Sequence, residues 1–86
     1  MEFTSNGCEA CKIMEPVINE IEDSYSNKIK VKKVNVYSDV TLTRKYSIRV
    51  VPTILLLDSE GKLLYRYEGI TEREIIVEKL KEMGVN

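Results

Sequence analysis

Residues 1–16 have the sequence MEFTSNGCEACKIMEP, which places a short apolar start, a turn and two cysteines in direct succession. Residues 1–4 predict a short strand, and residues 5–7 predict a turn. From Cys8 to about Tyr25, apolar residues recur at spacings of three and four, which is typical of an amphipathic helix. The stretch therefore predicts a strand that leads, through one turn, into a helix that begins at the cysteines.

The apolar face of this first helix is expected to pack on the core. Acidic residues lie mainly on its other side, as in a helix with one face in solvent. Pro16 should bend the helix, because proline cannot donate a backbone hydrogen bond. The residues expected to face the core are Ala10, Ile13, Met14, Val17, Ile18, Ile21 and Tyr25.

The remaining residues predict five further elements in one domain that spans residues 1–86. In chain order they are a strand over residues 29–37, a helix over 39–47, a buried strand over 53–58, its hairpin partner over 62–68 and a last helix opened by a capping box at Thr71 and Glu74. The order is β-α-β-α-β-β-α. Because the first β-α-β unit implies a parallel crossover and the hairpin an antiparallel pair, we predict an α/β fold with a four-stranded mixed sheet and helices on both faces.

The strand over residues 29–37 carries an unusual number of lysines. The alternation of apolar and polar residues shifts by one position at Lys32-Lys33, which indicates either a bulge or burial on both faces of the strand. Lysines along a free sheet edge discourage pairing with another chain. Since Lys28, Lys30, Lys32 and Lys33 all lie in or beside this segment, we expect it to be an edge strand.

The composition excludes several classes of function. Thirteen basic and fourteen acidic residues give a net charge of −1, which does not favour binding to nucleic acid or to an anionic membrane. With no histidine there is no Cys-His pair, and two cysteines fall short of a zinc site. Residues 1–10 lack a signal-peptide pattern, and apolar runs such as residues 54–57 are far shorter than the ~20 residues of a membrane helix. We expect a cytoplasmic protein without a bound metal.

The chemistry is expected to run through Cys8 and Cys11. A thiolate in the first turn of a helix faces unpaired backbone N–H groups and the positive end of the helix dipole, which lower the pKa of the thiol. Residues three apart lie on one helix face, so Cys11 can reach the sulfur of Cys8. Cys8 is then the attacking thiol and Cys11 the resolving thiol. Two other interpretations stay open: half of a metal site shared by two chains, or two thiols without a role.

Two motifs carry a resemblance to a known family. The first is Cys8-Glu9-Ala10-Cys11-Lys12 followed by Pro16, and the second is Tyr46-Ser47-Ile48-Arg49-Val50-Val51-Pro52-Thr53. Together with Gly61 and Gly69, they make the whole sequence resemble the thioredoxin superfamily, and thioredoxins most closely. The resemblance implies a thioredoxin-like fold with a redox-active Cys8–Cys11 disulfide. It also implies structural residues near the site, which are Gly7, Glu9, Ala10, Lys12 and Pro16.

The resemblance further implies roles for residues away from the cysteines. The Val51–Pro52 peptide bond should be cis, and Val51, Pro52 and Thr53 should form the segment that binds an extended substrate chain. Glu2 and Lys33 should form a carboxylate–ammonium pair beneath the resolving cysteine, with Glu2 accepting its proton. The alternative is a solvated Glu2 at a frayed N-terminus and a Lys33 that is one lysine among four on an edge strand.

Three features depart from the family pattern. Gly7 stands where a tryptophan is usual, the first β-α unit of a full-length thioredoxin is missing, and Glu9-Ala10 separates the cysteines. The size is that of glutaredoxins and of small archaeal-type thioredoxins. An anionic Glu9 beside Cys8 opposes the helix dipole and disfavours the thiolate. We therefore expect a reductant, whose Cys8 is less acidic than that of strongly oxidising relatives.

The predicted function is that of a thiol–disulfide oxidoreductase that reduces protein disulfides through Cys8 and Cys11. It is expected to be a monomer that acts on disulfide-containing protein substrates without a bound cofactor, with electrons from a separate thioredoxin reductase-type enzyme. One alternative is a glutaredoxin-like protein that depends on glutathione. Another is a non-catalytic thioredoxin-fold binding module, in which two chains share a metal ion or an iron–sulfur cluster through the same cysteines.

Overall fold

A computed structural model describes residues 1–85, and Asn86, the last residue of the predicted domain, lies outside the described residues. Strands and helices follow one another in the predicted order β-α-β-α-β-β-α. Their bounds are β1 (Glu2–Thr4), α1 (Glu9–Ser24), β2 (Lys33–Asn35), α2 (Val40–Lys45), β3 (Thr53–Leu57), β4 (Leu63–Glu68) and α3 (Arg73–Glu82).

The strands form one mixed sheet in the order β2-β1-β3-β4. β1 pairs in parallel with β2 and antiparallel with β3, and β3 pairs antiparallel with β4 as a hairpin. The parallel pair is joined through α1, as a crossover connection requires. The predicted four-stranded mixed sheet is confirmed, and so is the position of the lysine-rich strand at its edge.

Two apolar clusters pack on opposite faces of the sheet. Adjacent residues of β3 divide between them, because successive side chains of a strand point to opposite faces. Helices therefore cover both faces, as predicted. The α1–α3 cluster consists of Met14, Ile18, Ile21, Ile54, Ile76 and Leu80. The α2 cluster consists of Phe3, Val34 and Leu55, with Leu42 and Tyr46 of the α2 region packed against them.

The strand predicted over residues 29–37 is shorter than expected, because β2 covers only Lys33–Asn35. β1 has three residues, and its register pairs them one to one with those of β2. Residues 29–32 therefore have no strand residue beside them, within residues 1–85, that would extend the ladder. Ile29 and Val31 pack against the α1–α3 cluster, whereas Val34 and Val36 lie in or against the α2 cluster. The shift in the alternation of apolar residues thus reflects burial on both faces of the sheet.

The capping box predicted at Thr71 and Glu74 is wrong. α3 begins at Arg73, and the residue before it caps the helix without a side-chain hydrogen bond. The backbone N–H of Thr71 instead donates to the sulfur of Met14 at 3.4 Å, and Arg73 pairs with Glu20 of α1 at 2.8 Å. These contacts with α1 fix where α3 starts. Glu74 is therefore the second residue of the helix, whereas a capping box needs a glutamate at the third.

One residue predicted to face the core lies outside it. Ile13 is 57% exposed, whereas the buried residues of α1 are Cys11, Met14, Ile18 and Ile21. Those four follow spacings of three and four residues, which keep side chains in one stripe along a helix. Ile13 is two positions beyond Cys11, so it points about 200° away from that residue around the helix axis.

Neighbouring isoleucines on α3 allow a matched test of this packing. Ile76 is 2% exposed and belongs to the α1–α3 cluster, whereas Ile75 is 44% exposed. We expect Ile76→Ala to lower the free energy of unfolding by about 2–4 kcal/mol, because it leaves a cavity in the cluster. Ile75→Ala should lower it by less than about 1 kcal/mol. Urea unfolding of both variants measures the difference, and equal losses would contradict the assigned faces of α3.

Candidate active site

Cys8 caps the N-terminus of α1. Its backbone is extended, with φ −84° and ψ 112°, and its sulfur accepts the backbone N–H of Cys11 at 3.1 Å. Gly7 turns the chain just before it at φ +77°, in the left-handed region that favours glycine. β1 ends at Thr4 and α1 begins at Glu9, so strand, turn and cysteine-bearing helix follow one another as predicted.

Cys8 and Cys11 form a disulfide, with their Cα atoms 5.2 Å apart. The two residues differ in their surroundings, because Cys11 is 5% exposed on the buried stripe of α1 and Cys8 is only partly buried at the helix end. Backbone N–H groups of the first helical turn point towards the Cys8 side, where they favour negative charge. An accessible sulfur backed by a buried one is an arrangement suited to thiol–disulfide exchange.

A second segment, residues 50–53, lies against the cysteine pair. The Val51–Pro52 peptide bond is cis, and the carbonyl oxygen of Val51 is 3.8 Å from the Cys8 sulfur. Thr53 is fully buried, and its hydroxyl donates to the carbonyl of Val50 at 2.7 Å. The carbonyl of Pro52 accepts the N–H of Gly69 at 2.8 Å. Hydrogen bonds on both sides therefore hold the Val51 backbone beside the accessible sulfur.

Glu2 and Lys33 lie opposite each other in the pairing of β1 with β2, but their side chains do not meet in the implied pair. The Lys33 ammonium donates to Asn19 of α1 at 2.6 Å, and no ion pair joins it to Glu2 within residues 1–85. The reason is that the Lys33 side chain turns to solvent, where the Asn19 amide is the closer acceptor. Lys33 is thus an exposed lysine of an edge strand.

Glu2 is not the solvated residue of a frayed terminus, because it is only 4% exposed within the sheet. Burial raises the pKa of its carboxyl above the ordinary value, since the charged form loses its hydration. The positive charge of Lys33 offsets part of this rise, and the negative charge of Glu15 adds to it. β1 therefore holds a buried carboxyl that takes up a proton more readily than an exposed one.

The other predicted site residues lie on the first turns of α1. The Lys12 ammonium is 3.6 Å from the Glu9 carboxylate, with both side chains largely exposed. Ala10 is partly buried between the cysteines, and Pro16 lies inside the helix. The charges nearest to the cysteines along the chain are thus the exposed acidic and basic groups of Glu9 and Lys12.

A charged cluster beside the Val51–Pro52 segment was not predicted. The Arg49 guanidinium donates two hydrogen bonds to the Glu68 carboxylate, at 2.8 and 3.0 Å, and Arg66 lies 3.6 Å from the same carboxylate. The hydrogen bond from Arg49, followed by the charges of both arginines, lowers the pKa of Glu68. Arg66 also donates to the backbone carbonyls of Tyr46 and Ser47. The cluster fastens the loop before the cis proline to β4.

Two arrangements are missing from the described part of the chain. Within residues 1–85, no three His, Cys, Asp or Glu side chains come together in a way that would hold a metal ion. Across the same residues, no helix is both long and apolar enough to cross a membrane.

The sequence profile of the family described as Thioredoxin matches residues 1–82. The chain belongs to the thioredoxin family. A thioredoxin of Buchnera aphidicola is 33% identical over 75 residues, which are 87% of this chain and 69% of that protein. Chloroplastic thioredoxin Y2 of Arabidopsis thaliana is 31% identical over 81 residues, which are 94% of this chain but only 48% of that protein.

Solved structures agree with this assignment. The germline-specific thioredoxin Deadhead of Drosophila melanogaster superposes with a TM-score of 0.84 at 26% identity, covering 95% of this chain and 76% of that one. Thioredoxin NaTrxh of Nicotiana alata also gives 0.84, at 28% identity, covering 94% of this chain and 68% of that one. The thioredoxin-like fold is thereby confirmed.

Family membership and the Cys8–Cys11 pair together establish the class of activity. This thioredoxin-family chain is a thiol–disulfide oxidoreductase of the protein-disulfide reductase kind, and proteins of this family act on disulfide-containing protein substrates.

We expect Glu2→Gln to flatten the pH dependence of stability. Because the pKa of Glu2 is raised on folding, the folded state holds this proton more tightly than the unfolded chain does. The contribution of Glu2 to stability is therefore fully present below its ordinary pKa of 4.5 and is lost as the pH rises through the raised value. Urea unfolding from about pH 4 to about pH 8 measures this loss in the wild type and its absence in the variant.

The exposed Glu60 provides the matched control for this experiment. Glu60→Gln removes the same charge from a hairpin turn and should keep the wild-type pH dependence. Identical pH profiles for the wild type and Glu2→Gln would show that Glu2 titrates alike in the folded and unfolded states, against the burial argument.

Proposed function

We propose that Cys8 is the attacking thiol and Cys11 the resolving thiol in the reduction of protein disulfides. The difference in burial supports these roles, because Cys11 is 5% exposed and Cys8 is more accessible. The position of Cys8 at the N-cap of α1 supports them too, since a helix N-terminus stabilises a thiolate. The 3.8 Å distance from the Cys8 sulfur to the Val51 oxygen puts a backbone docking edge within reach of the same sulfur.

In the first step, the Cys8 thiolate attacks one sulfur of the substrate disulfide. A mixed disulfide forms between Cys8 and the substrate, and the other substrate sulfur leaves as a thiolate that takes up a proton. The substrate lies extended along Val51 and Pro52 and pairs with the Val51 backbone as an added strand does. Thr53 supports this segment through the hydrogen bond from its hydroxyl to the Val50 carbonyl.

In the second step, Cys11 loses its proton and attacks the Cys8 sulfur. The remaining substrate sulfur leaves as a thiolate, so the substrate disulfide is reduced while Cys8 and Cys11 are oxidised to their own disulfide. The Cα separation of 5.2 Å supports direct closure of this bond. We assign Glu2 as the proton acceptor, because it is a buried carboxyl on the sheet face covered by α1, and burial raises its pKa towards that of a thiol. Lys33 acts on Glu2 through its charge alone.

The remaining parts of the proposal concern partners and location. A separate thioredoxin reductase-type enzyme returns electrons to the Cys8–Cys11 disulfide, so the protein needs no bound cofactor. It works as a monomer in the cytoplasm, where thiols are kept reduced. We further propose a small thioredoxin of glutaredoxin size, whose described residues form a four-stranded sheet.

The charges around Cys8 favour a reductant. Glu9 follows Cys8 directly and opposes the positive end of the helix dipole, which makes the reduced thiolate harder to stabilise. Its ion pair with Lys12 is long, at 3.6 Å, and both groups are exposed, so Lys12 cancels only part of this effect. Strong oxidants of this fold depend on a stabilised thiolate, and Glu9 works against one.

Glu9→Gln tests the effect of this charge at constant side-chain size. We expect Cys8 of the reduced variant to react with iodoacetamide about two- to fivefold faster at neutral pH, because removing the negative charge favours the thiolate by roughly 0.3–1 kcal/mol. Glu22→Gln, at the far end of α1, should leave the rate unchanged. An unchanged reaction rate in Glu9→Gln would show that the charge of Glu9 does not affect the Cys8 thiolate.

A redox titration of the wild type tests the direction of transfer. Thioredoxin itself has a reduction potential of about −270 mV and protein disulfide isomerase about −180 mV. We expect a value close to the first, and a value close to the second would contradict a reductant.

Insulin-disulfide reduction tests the roles of the two cysteines. We expect the wild type to reduce insulin, and Cys8→Ser and Cys11→Ser to lose turnover entirely. Cys11→Ser should accumulate a mixed disulfide with the substrate, because nothing remains to resolve it, and Cys8→Ser should not. The mixed disulfide is detected by intact-protein mass spectrometry.

Two results would overturn this proposal in favour of the alternatives. Recycling by glutathione, without turnover by a flavin-dependent thioredoxin reductase, would indicate a glutaredoxin-like enzyme. An inactive wild type that carries stoichiometric metal or iron–sulfur cluster would indicate a binding module. A mixed disulfide on Cys8→Ser rather than on Cys11→Ser would reverse the two roles.

A further inference from the structure

One carboxylate holds the Arg49 guanidinium in a single orientation. Its Nε and Nη2 atoms donate to the two oxygens of Glu68 at 3.0 and 2.8 Å. These hydrogen bonds, and then the opposite charges, raise the pKa of Arg49 and lower the pKa of Glu68, so the pair stays ionised at neutral pH. Because the guanidinium is already ordered, it loses little freedom when it binds a second partner.

The outer end of the same guanidinium is free. A guanidinium has five N–H groups, and Glu68 accepts one from Nε and one from Nη2. Among residues 1–85, no group accepts the other N–H of Nη2 or the two of Nη1. The Arg49 side chain is 78% exposed, whereas that of Glu68 is 26% exposed. Arg49 therefore presents to solvent a pair of parallel donors that match a carboxylate.

This free end lies beside the backbone edge on which the substrate is proposed to dock. Arg49 is two residues before Val51, whose carbonyl oxygen is 3.8 Å from the Cys8 sulfur. The residue that follows the paired carboxylate, Gly69, donates its N–H to the Pro52 carbonyl at 2.8 Å. Because an extended chain advances by about 3.3 Å per residue, a substrate residue about two or three positions from the attacked cysteine comes level with Arg49.

Positive charge predominates on this side of the site. Residues 44–51 and β4 carry four basic side chains and one acidic side chain, although the net charge of the whole chain is −1. They are Arg44, Lys45, Arg49, Arg66 and Glu68. Arg66 already donates to two backbone carbonyls of the loop, and Arg44 and Lys45 belong to the last turn of α2. Of these cations, Arg49 is thus the one that combines free donors with a position next to the docking edge.

We propose that Arg49 is a specificity-determining residue that binds a carboxylate of the substrate chain, so that the preferred substrates are protein disulfides with an aspartate or glutamate about two or three residues from the attacked cysteine. This inference rests on the proposed function, because it uses the docking of the substrate along Val51 and Pro52. The acidic side chain pairs with the outer end of the guanidinium, while Glu68 keeps the inner edge. A lysine at the same position of the substrate meets a like charge and is disfavoured.

Three activated peptides test this preference. Each is acetyl-Ala-Xaa-Xaa-Cys-Xaa-Xaa-Ala-amide, with its cysteine in a disulfide to a neutral 2-thiopyridyl group and with Xaa as Glu, Gln or Lys. Placing Xaa on both sides of the cysteine covers either direction of binding. The Cys8 thiolate attacks the peptide sulfur, and the 2-thiopyridyl sulfur leaves as a thiolate that takes up a proton and is followed by its absorbance.

The measured quantity is the second-order rate constant of the reduced protein with each peptide. Dividing it by the rate constant with dithiothreitol removes differences in the intrinsic reactivity of the three disulfides. We expect the wild type to favour the Glu peptide over the Gln peptide about three- to fivefold, the size of one exposed ion pair, and to react most slowly with the Lys peptide. Salt at about 1 M should bring the Glu-to-Gln ratio close to one, because it screens exposed charges.

Two exposed arginines provide matched variants. Arg49→Gln should bring the Glu-to-Gln ratio close to one, whereas Arg44→Gln, which removes the same charge from α2, should keep the wild-type ratio. Arg49→Lys keeps the charge but lacks two parallel donors, so its ratio should fall between those of the wild type and Arg49→Gln. A residue that only supported the loop would lower the rates of both peptides alike and leave the ratio unchanged.

The acidic preference has to depend on Arg49 for this assignment to stand. Equal rates of the wild type with the Glu and Gln peptides, or an unchanged ratio in Arg49→Gln, would overturn it. An equal fall in Arg44→Gln would trace the preference to the charge of the whole surface instead of Arg49. A wild type that reduces none of the peptides, nor insulin, would overturn the proposed function and this inference with it, so the two failures are distinguishable.

Discussion

The pairing of β1 between β2 and β3 is the constraint on which the rest of the structure depends. β1 has only three residues, yet it joins the edge strand to the hairpin. Phe3 at its centre is fully buried, and its ring meets that of Tyr46 edge-on, with 6.1 Å between centroids. That contact links β1 to the loop that leads to Pro52. Because α1 begins five residues after Thr4, β1 also fixes where the cysteines stand.

The same strand carries the one buried carboxyl of the described residues. Glu2 pairs directly with Ile54, and directly paired residues share a face of the sheet, so Glu2 lies on the face covered by α1. A buried carboxyl without an ion-pair partner destabilises the fold when it is charged. Such a residue is hard to explain by packing, since an apolar side chain would serve better there. The proton-acceptor role proposed for Glu2 would account for this burial, which costs some stability near neutral pH.

The features that the sequence predicted well depend on local patterns of neighbouring residues. The order of elements, the helix that begins at the cysteines and the edge position of the lysines each follow from patterns within about ten residues. The features that it missed depend on distant partners. Arg49 meets Glu68 nineteen residues away, and α3 begins at Arg73, beside contacts of Thr71 and Arg73 with α1. β2 is short because β1 is short, which no pattern inside residues 29–37 reveals.

Local hydrogen bonds at the cysteine end of the sheet explain how a three-residue strand can support a redox site. At the cysteine end, Gly69 bonds to Pro52, Thr71 to Met14, and the Cys11 N–H to the Cys8 sulfur. Disulfide exchange needs its sulfurs held to within about half an ångström, and these local bonds supply that rigidity without a long ladder. Precision is thus concentrated where the chemistry occurs.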